Sequence, residues 1–383
     1  MKNSLLIKNA EVYAPERLGK KDILCVNGII MKVDDSIDEN TIPFETEVLD
    51  AGGRAVVPGL IDQHVHVTGG GGEKGFTSRV PEIKFSHIVE SGVTTIVGLL
   101  GTDHYTRSVE NLLAKTKALN EEGITAYCLT GSYAVPTVTI TGEVGKDIAY
   151  IDEIIGVKVA ISDHRCSNPT KEELIRLASE VRIASLVSGK VGEVHMHTGI
   201  GKDGIKKVIE IIKETDIPAK HFRPTHMRKA NEDDVVEFTK LGGYADYSST
   251  EADPLGKAQE IMDVIEKGAV EDHITISSDS NGSLPKWNEK KELIGITYAR
   301  MTSLYGEVKA LMQKGYPLER AIRFITSNVA DALEIGDRKG HICEGADADI
   351  VILDSNNDVD QVIAMGALVV KDKNAVKKGF FED

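Results

Sequence analysis

The chain has 383 residues and a formal net charge of −15 at pH 7, which makes nucleic acid and anionic membranes poor candidates for its partners. It has no recognisable export signal and no apolar run of about 18 residues or more, so we expect neither export nor a membrane span. The four cysteines form no CxxC pair, which favours a reducing compartment and a cytoplasmic protein: Cys25, Cys128, Cys166 and Cys343.

The two ends of the chain carry short strand patterns separated by turns. The first 55 residues contain LLIKNAEVY, ILCVNGIIMKV and TEVLDAGGRAVV, and residues 349–353 and 361–370 have the same character. Strand-rich segments at both termini predict one small β-sandwich domain, formed by residues 1–56 together with residues 339–383.

Between these ends, apolar runs of strand length alternate with helical patterns. The predicted strands cover residues 57–66, 94–101, 124–130, 157–163, 193–198, 222–227, 244–248 and 274–279. The predicted helices cover residues 108–122, 171–188, 203–214, 233–241, 254–268, 302–314 and 318–333. This alternation indicates an α/β fold with a TIM-like (β/α)8 barrel over residues 57–338, and a doubly wound open sheet is the alternative.

Metal-competent side chains lie at the carboxyl ends of four predicted strands, where barrel enzymes have their active sites. His64 and His66 are two residues apart in DQHVH, so the period of a strand puts both on one face. His197 lies near the end of GEVHMHT, His226 ends FRPTH and Asp279 ends ITISSD. The HxH pair alone also fits two half-buried histidines, but all of these side chains together predict a metal site.

Two further residues in these strands leave several interpretations open. His195 shares a strand face with His197 but lies one layer deeper, so we expect a core or supporting position for it. Lys158 lies among apolar neighbours in VKVAISD, where an uncompensated ammonium is costly. It is either a snorkelling or paired lysine, a lysine neutralised by burial, or a lysine that CO2 has converted to a carbamate.

Several of these segments resemble a known family. PGLIDQHVH, the strand-end histidines, the strand lysine and the late SSD are similar to the amidohydrolase superfamily. GLIDQHVHVTGGGGE, VGLLGTD, LTGSYAVP, IIGVKVAISDHR, RPTHM and SSDSNGS more closely resemble its isoaspartyl (β-aspartyl) dipeptidase family, and the likeness extends through most of the chain. The resemblance implies a metallo-dipeptidase that cleaves isoaspartyl dipeptides by attack of a hydroxide bridging two metal ions.

The resemblance also implies which residues bind metal. The implied ligands of two Zn²⁺ ions per subunit are His64, His66, Lys158, His197, His226 and Asp279. The first two histidines hold one ion and the last two hold the other. Lys158, carboxylated on its side-chain nitrogen by CO2, bridges both ions, and Asp279 ligates the first ion and is the catalytic proton carrier.

A second implied set contacts the substrate: Glu73, Thr102, Tyr133, Arg165, Arg228, Lys229 and Ser283. Glu73 binds the α-ammonium of the substrate, and Tyr133 lies beside the scissile carbonyl as a catalytic hydrogen-bond donor. Arg165 and Ser283 contact the substrate carboxylate or backbone. Without the resemblance, Glu73 and Arg165 fit solvated loop charges. The glycine run at residues 69–72 fits a linker, but it closely follows the HxH strand, where it would let the backbone approach a ligand or let a loop move.

The chain departs from the family pattern at one position. The family has a carboxylate-binding arginine three residues after the histidine of PTH, and this chain has Lys229 there, preceded by Arg228. Lysine keeps the charge but lacks the bidentate fork of arginine. Either residue can therefore bind the carboxylate of the substrate.

Other functions share parts of this pattern. A cyclic-amide hydrolase, such as a dihydroorotase or hydantoinase, uses the same metal ligands, so only Glu73, Tyr133 and the Arg228/Lys229 pair separate the two activities. A non-enzymatic barrel kept as an assembly module is expected to have lost ligands, whereas this chain has all six. The implied partners are a small dipeptide substrate and further copies of the chain, in a homo-oligomer such as an octamer.

Overall fold

The computed structural model describes residues 4–287 and 293–382. Its strands are β1 (Ser4–Tyr13), β2 (Arg17–Val26), β3 (Ile29–Asp34), β4 (Glu47–Asp50), β5 (Ala55–Pro58), β6 (Leu60–Val65), β7 (Val93–Gly98), β8 (Thr125–Gly131), β9 (Ile154–Ser162), β10 (Glu193–Thr198), β11 (Phe222–Thr225), β12 (Ala245–Ser248), β13 (Ile274–Ser277), β14 (Ser283–Trp287), β15 (Leu293–Tyr298), β16 (Ile350–Leu353), β17 (Val359–Ala364), β18 (Ala367–Lys371) and β19 (Asn374–Ala375).

The α-helices lie between the middle strands and after them. They are α1 (Phe85–Glu90), α2 (Val109–Glu122), α3 (Val144–Tyr150), α4 (Lys171–Ser188), α5 (Lys206–Glu214), α6 (Glu232–Lys240), α7 (Pro254–Glu266), α8 (Thr302–Gln313), α9 (Leu318–Ala321) and α10 (Ser327–Ala332). Helix α4 shows how local sequence sets these bounds. Thr170 and Glu173 form a capping box at its start, and Gly189 ends it in the left-handed conformation.

The strands from both termini join in one nine-stranded sheet. Its order is β19-β18-β17-β16-β5-β1-β2-β3, with β4 paired to β1, and the two ends of the chain meet where β5 pairs with β16. Alternate residues of β16 serve different cores. Ile350 and Ile352 pack with the other residues of the terminal sheet, whereas Val351 and Leu353 join the larger core beneath the helices. The sheet agrees with the prediction that both termini build one β unit.

The middle strands form parallel ladders. Strands β6 to β11 lie in sequence order in a six-stranded sheet, and β12 pairs in parallel with β13. Val65, the last residue of β6, makes a parallel bridge with Ser280, which follows β13. The fold is therefore α/β with a curled parallel sheet, and the carboxyl ends of its strands lie on one side.

The strand predicted at residues 57–66 is in fact two strands, and Gly59 separates them. Its amide donates to the Asp349 carbonyl at 2.8 Å, and the chain passes at this point from the terminal sheet to the parallel sheet. A Cβ at position 59 would lie 2.2 Å from Thr94 Oγ1 and 2.8 Å from Asp349 Cβ. Only glycine therefore fits between the two sheets.

Other differences from the sequence prediction involve short elements. The helix predicted at residues 318–333 is divided into α9, a 3-10 turn at Ile322–Ile325, and α10. Sequence patterns did not predict α1, α3 or the β14–β15 hairpin. Strand β10 and helix α4, by contrast, have the predicted bounds. Within residues 4–287 and 293–382, no helix is both long enough and apolar enough to cross a membrane.

Candidate metal centre and active-site cleft

The four predicted histidines converge at the carboxyl ends of the parallel strands. The ring centroids lie 5.5 Å apart between His64 and His66, and 5.0 Å apart between His64 and His226. The centroids of His226 and His197 lie 4.6 Å apart. These imidazoles form one continuous group of rings. We call them, together with Lys158 and Asp279, the strand-end cluster.

Asp279 lies against the first histidine pair. Its Oδ1 atom is 3.0 Å from His66 Nε2 and 3.3 Å from His64 Nε2. The three residues each offer a ligand atom, and these atoms lie within 4.8 Å of one another. Burial would raise the pKa of Asp279, but the surrounding histidines hold that pKa well below its usual value. The carboxylate is thus ionised, as a metal ligand must be.

Two members of the cluster have an unusual backbone conformation. His226 has φ 65° and Asp279 has φ 54°, both in the left-handed region, and each lies just beyond the end of its strand. Residues other than glycine adopt this region uncommonly, and such positions concentrate at functional sites. The chain turns sharply where these two side chains leave the sheet.

The second histidine pair is held by other polar side chains. His197 Nε2 is 3.1 Å from Asp163 Oδ2, and its Nδ1 is 2.8 Å from the Tyr133 hydroxyl. His226 Nδ1 is 2.6 Å from Ser248 Oγ. Burial lowers the pKa of His197 to about 4 and the pKa of His226 well below its usual value. Both rings are therefore neutral at physiological pH, the form that binds metal ions.

Lys158 tests whether the cluster suits a pair of cations. Its side chain is fully buried, and its Nζ has no hydrogen-bond partner in the described part of the chain. Burial lowers the pKa of this amine to about 7, so a large fraction is neutral. A neutral amine reacts with CO2, and a carboxylated Lys158 would supply the anionic oxygens that two cations need. Neutral imidazoles, one carboxylate and this unpaired amine thus fit the metals that the sequence implied.

The glycine run beside the cluster is a site of close backbone packing. A Cβ on Gly69 would lie 1.9 Å from the Val80 carbonyl oxygen, and one on Gly71 would lie 2.3 Å from the Ser78 carbonyl oxygen. Gly69, Gly70 and Gly71 of this run line a cleft that reaches His66 and Asp279. The run is therefore a packed wall of the cleft rather than a linker.

Three of the predicted substrate contacts meet at Glu73. Its Oε1 atom accepts hydrogen bonds from Ser283 Oγ at 2.8 Å, from Arg165 Nη1 at 3.2 Å and from Thr102 Oγ1 at 3.3 Å. These residues follow four different strands, and the fold brings all of them to one side of the cleft. All three of these donors use Oε1, and none of them uses Oε2.

Arg165 has a carboxylate partner that the sequence analysis did not single out. Asp163 accepts from Arg165 Nε at 2.8 Å and from Nη2 at 3.1 Å, and it also contacts His197. Burial alone would raise the pKa of Asp163, but His197 and Arg165 hold that pKa far below its usual range. Asp163 thus fixes both neighbours. Its position in the SDHR segment was the only sequence signal for it.

Tyr133 is buried where the cleft meets His197. Besides its hydroxyl contact with that ring, its aromatic face lies 5.5 Å from the guanidinium of Arg165. Burial raises the pKa of Tyr133 well above its usual value. The phenol therefore keeps its proton and can act as a hydrogen-bond donor inside the cleft.

The two basic residues after β11 are Arg228 and Lys229. Arg228 Nη2 donates to the Gly199 carbonyl at 2.8 Å, and Arg228 is absent from the cleft wall. The side chain of Lys229 lies outside the described part of the molecule. The choice between these two residues as a carboxylate-binding group remains a prediction.

A buried charged pair below the cluster was also missed. Glu193 and Arg223 are fully buried and joined by a 3.1 Å contact between Oε2 and Nε. His195 lies between Glu193 and His64 instead of facing the centre of the cluster. This agrees with the supporting position expected for His195. Sequence patterns gave no signal for Glu193 or for its partner Arg223.

Comparison with known proteins adds to this geometry. The sequence model of the amidohydrolase family matches residues 55–369. A crystal structure of a β-aspartyl dipeptidase from Fervidobacterium islandicum AW-1, in complex with the β-Asp-Leu dipeptide, is 40% identical to this chain. The similarity covers 99% of each chain, with a TM-score of 0.92.

Other similar proteins match less completely. A dihydroorotase of Listeria monocytogenes is 27% identical over 219 residues, which are 55% of this chain and 49% of that protein. The chain thus matches about half the length of that curated relative. A dihydropyrimidinase structure from Brevibacillus agri is 16% identical, with a TM-score of 0.71 over 98% of this chain and 97% of that one, a similarity that shows the fold alone.

Proposed function

The chain belongs to the amidohydrolase family, and we propose that it is a metal-dependent dipeptidase that hydrolyses β-aspartyl (isoaspartyl) dipeptides. One observation carries this proposal: a β-aspartyl dipeptidase is 40% identical along 99% of the chain. The cyclic-amide alternative has weaker support, because the dihydroorotase matches over only 49% of its own length and the dihydropyrimidinase is only 16% identical.

We further propose that two zinc ions bind in the strand-end cluster. His64, His66 and Asp279 would hold one ion, and His197 and His226 would hold the other. Lys158, carboxylated by CO2 with release of its amine proton, would bridge them, and its buried, unpaired Nζ supports this assignment. When bound, the ions would lower the pKa of a water molecule towards neutrality and polarise the scissile carbonyl.

Residues of the chain itself would carry the substrate and the protons. Glu73 would bind the α-ammonium through Oε2, the oxygen that the three donors of the chain described above do not use. The Tyr133 hydroxyl would donate a hydrogen bond to the carbonyl oxygen as negative charge develops there. The Asp279 carboxylate would accept the proton of the attacking water and return it to the leaving amine nitrogen, so that one group serves first as base and then as acid.

Selectivity would follow from charges held at fixed positions in the cleft. Glu73 is an anion with three donors on one oxygen, and Arg165 is tied to Asp163 on one side and to Glu73 on the other. A substrate without a matching ammonium would leave the Glu73 carboxylate with Arg165 as its cationic partner and without the second cation that the substrate supplies, which lowers its binding free energy. Arg165, Ser283 and either Arg228 or Lys229 would contact the substrate carboxylates.

We propose that the parallel strands close into one eight-stranded barrel over residues 57–338. Asp246 of β12 supports this closure, because it accepts from Gln63 of β6 at 2.8 Å and from Thr225 of β11 at 2.6 Å. Gln63 also donates to Thr275 of β13 at 2.7 Å. The β domain would then consist of residues 1–56 and 339–383.

The remaining proposals concern the surroundings of the protein. All four cysteines are free, which supports a reducing compartment and hence a cytoplasmic location. The proposed partners are a small dipeptide and further copies of the chain, in a homo-oligomer such as an octamer.

The proposed activity is tested with four substrates and metal analysis. We expect the zinc-loaded protein to hydrolyse β-Asp-Leu and to leave α-Asp-Leu, dihydroorotate and hydantoin nearly untouched. Glu73→Gln should lower kcat/KM for β-Asp-Leu by about 10- to 100-fold, because it removes one charge-assisted contact. The matched control is Glu143→Gln, at an exposed glutamate that pairs with Lys146. Faster turnover of a cyclic amide than of β-Asp-Leu would refute the proposal in favour of the alternative.

A further inference from the structure

A chain of buried polar side chains runs from the strand-end cluster into the core. His64 Nδ1 lies 3.0 Å from His195 Nε2, and His195 Nδ1 lies 3.2 Å from Glu193 Oε1. Glu193 Oε2 accepts from Arg223 Nε at 3.1 Å, and Arg223 Nη2 donates to the Ala332 carbonyl at 2.5 Å. All four side chains have at most 1% of their surface exposed, so water does not compete for these bonds.

Strand geometry fixes the order of these hydrogen-bonded side chains. Glu193 and His195 are two residues apart on β10, so their side chains share one face of the sheet. Arg223 is the register partner of His195 on the neighbouring strand β11. The contacts therefore follow from the pairing of two strands and do not require a flexible loop.

The hydrogen-bond donors and acceptors among these side chains determine which nitrogen of each imidazole carries the proton. The guanidinium of Arg223 can only donate, and an ionised Glu193 can only accept. His195 must then carry its proton on Nδ1 and accept at Nε2. His64 in turn donates from Nδ1, so its bare Nε2 and the Asp279 carboxylate oxygen, 3.3 Å apart, are two acceptors that a shared cation can bind.

We propose that Glu193, His195 and Arg223 are positioning residues that hold His64 in the tautomer whose bare Nε2 binds the metal ion. This inference rests on the proposed metal site. Hydrogen bonds of this kind behind a ligand typically change metal affinity about 10- to 100-fold when they are lost. A merely structural ion pair between β10 and β11 would stabilise the fold without setting the tautomer of His64.

Glu193→Gln separates these two roles. The glutamine side chain has one acceptor oxygen, and Arg223 requires it, so the amide NH2 would face His195 and donate to its Nδ1. His195 would then donate from Nε2, and His64 would carry its proton on Nε2, the nitrogen that must be bare. We expect the zinc affinity of this variant to fall about 10- to 100-fold.

A double variant provides the rescue. In Glu193→Gln/Arg223→Met, the glutamine oxygen is released from the guanidinium and can accept from His195 Nδ1, which restores the original tautomers. We therefore expect the double variant to bind zinc more tightly than Glu193→Gln alone, although it has lost one more buried hydrogen bond. A structural role predicts the opposite order. His195→Leu, which keeps the Glu193–Arg223 pair, should also bind zinc more weakly than the wild type.

The measurement is zinc affinity by competition with a chelator, together with the visible absorption of the Co²⁺-loaded proteins and thermal unfolding of the metal-free proteins. Asp349→Asn is the control. It removes a negative charge from a buried ion pair with Lys339, outside the strand-end cluster, and the variant should bind zinc like the wild type. Wild-type affinity in Glu193→Gln, or a double variant weaker than the single one, would overturn the inference. Wild-type protein that binds zinc but leaves β-Asp-Leu intact would refute the proposed activity and not this inference.

Discussion

Two buried lysines, one in the strand-end cluster and one beside the terminal sheet, differ in what surrounds their charge. Lys339 Nζ lies 2.6 Å from Asp349 Oδ2 and 2.9 Å from Asp347 Oδ2, and its side chain is 4% exposed. Lys158 has no such partner within the described residues. Burial lowers the pKa of both amines, but the two aspartates outweigh it at Lys339, whose pKa is raised, whereas the pKa of Lys158 falls to about 7.

The difference separates structural from chemical uses of a buried charge. A lysine enclosed by carboxylates stays charged and joins segments of the fold. A lysine buried without a partner is partly neutral, and its burial destabilises the fold. Such a group therefore indicates a chemical role rather than a stabilising one. Substitutions at four residues, together with their controls, can break or sharpen this distinction.

The largest effect is expected at Asp279. Asp279→Asn removes the proposed proton carrier but keeps the size of the side chain, so kcat for β-Asp-Leu should fall about 10³-fold or more while much of the metal is retained. Steady-state kinetics and metal analysis measure the two properties. The same change at Asp349, in the terminal region, should leave kcat per folded protein unchanged. Full activity of Asp279→Asn would remove that residue from the mechanism.

Lys158→Met should have opposite effects on activity and on stability. We expect kcat/KM to fall about 10³-fold because the bridging group is lost and fewer metal ions bind. The metal-free protein should be at least as stable as the wild type, since an unpaired amine is replaced by an apolar chain of similar size. Urea unfolding of both metal-free proteins measures this. In Lys158→Ala, small carboxylates such as formate should partly restore metal binding, and unchanged metal content would argue against a bridge.

The same substitution at Lys339 should show the reverse pattern. Lys339→Met leaves Asp347 and Asp349 buried without their partner, so the free energy of unfolding should fall by about 3–5 kcal/mol. The folded fraction should keep wild-type kcat, because this lysine does not contact the cleft. Equal stability of the variant and the wild type would show that the paired lysine contributes nothing to the fold.

The smallest effect on stability is expected at Glu307. This residue is buried in α8, and its carboxylate oxygens make no well-formed hydrogen bond within the described ranges. Burial raises its pKa from 4.5 to about 8, so the folded state holds a proton that the unfolded state releases. Its contribution to stability is thus present below about pH 4.5 and is lost as the pH rises to about 8. Glu307→Gln should remove this loss, on the order of 1–3 kcal/mol. Parallel stability profiles from pH 5 to 8.5 would contradict the assignment.

Much of the scaffold follows from local patterns in the sequence. Strand β10 lies between Gly192 and Gly199, and the capping box at Thr170 marks where the long helix α4 begins, so their bounds were predictable. The short helices α1 and α3 carry too few turns for a clear period. The split at Gly59 depends on two sheets that meet only in the folded protein, and no local pattern indicates it.

The residues at the strand ends could be predicted from the sequence, but the buried residues that hold them in place could not. Histidines two residues apart on a strand predict a shared face, as His64 and His66 have. The partners Asp163, Glu193 and Arg223 come from other strands or loops, and only tertiary structure decides which charges they meet. The state of Lys158 likewise depends on burial, which the sequence indicates only through its apolar neighbours.

The glycine between the two sheets has a consequence for how the protein can be cut or redesigned. At Gly59 the backbone passes between Thr94 and Asp349 with no room for a methyl group. An alanine at position 59 would push the parallel sheet, which carries the active-site cleft, away from the terminal sheet. The same shift would move Asp349 away from Lys339. The two sheets are in close contact at this point, so we expect neither part of the chain to fold stably when it is separated from the other.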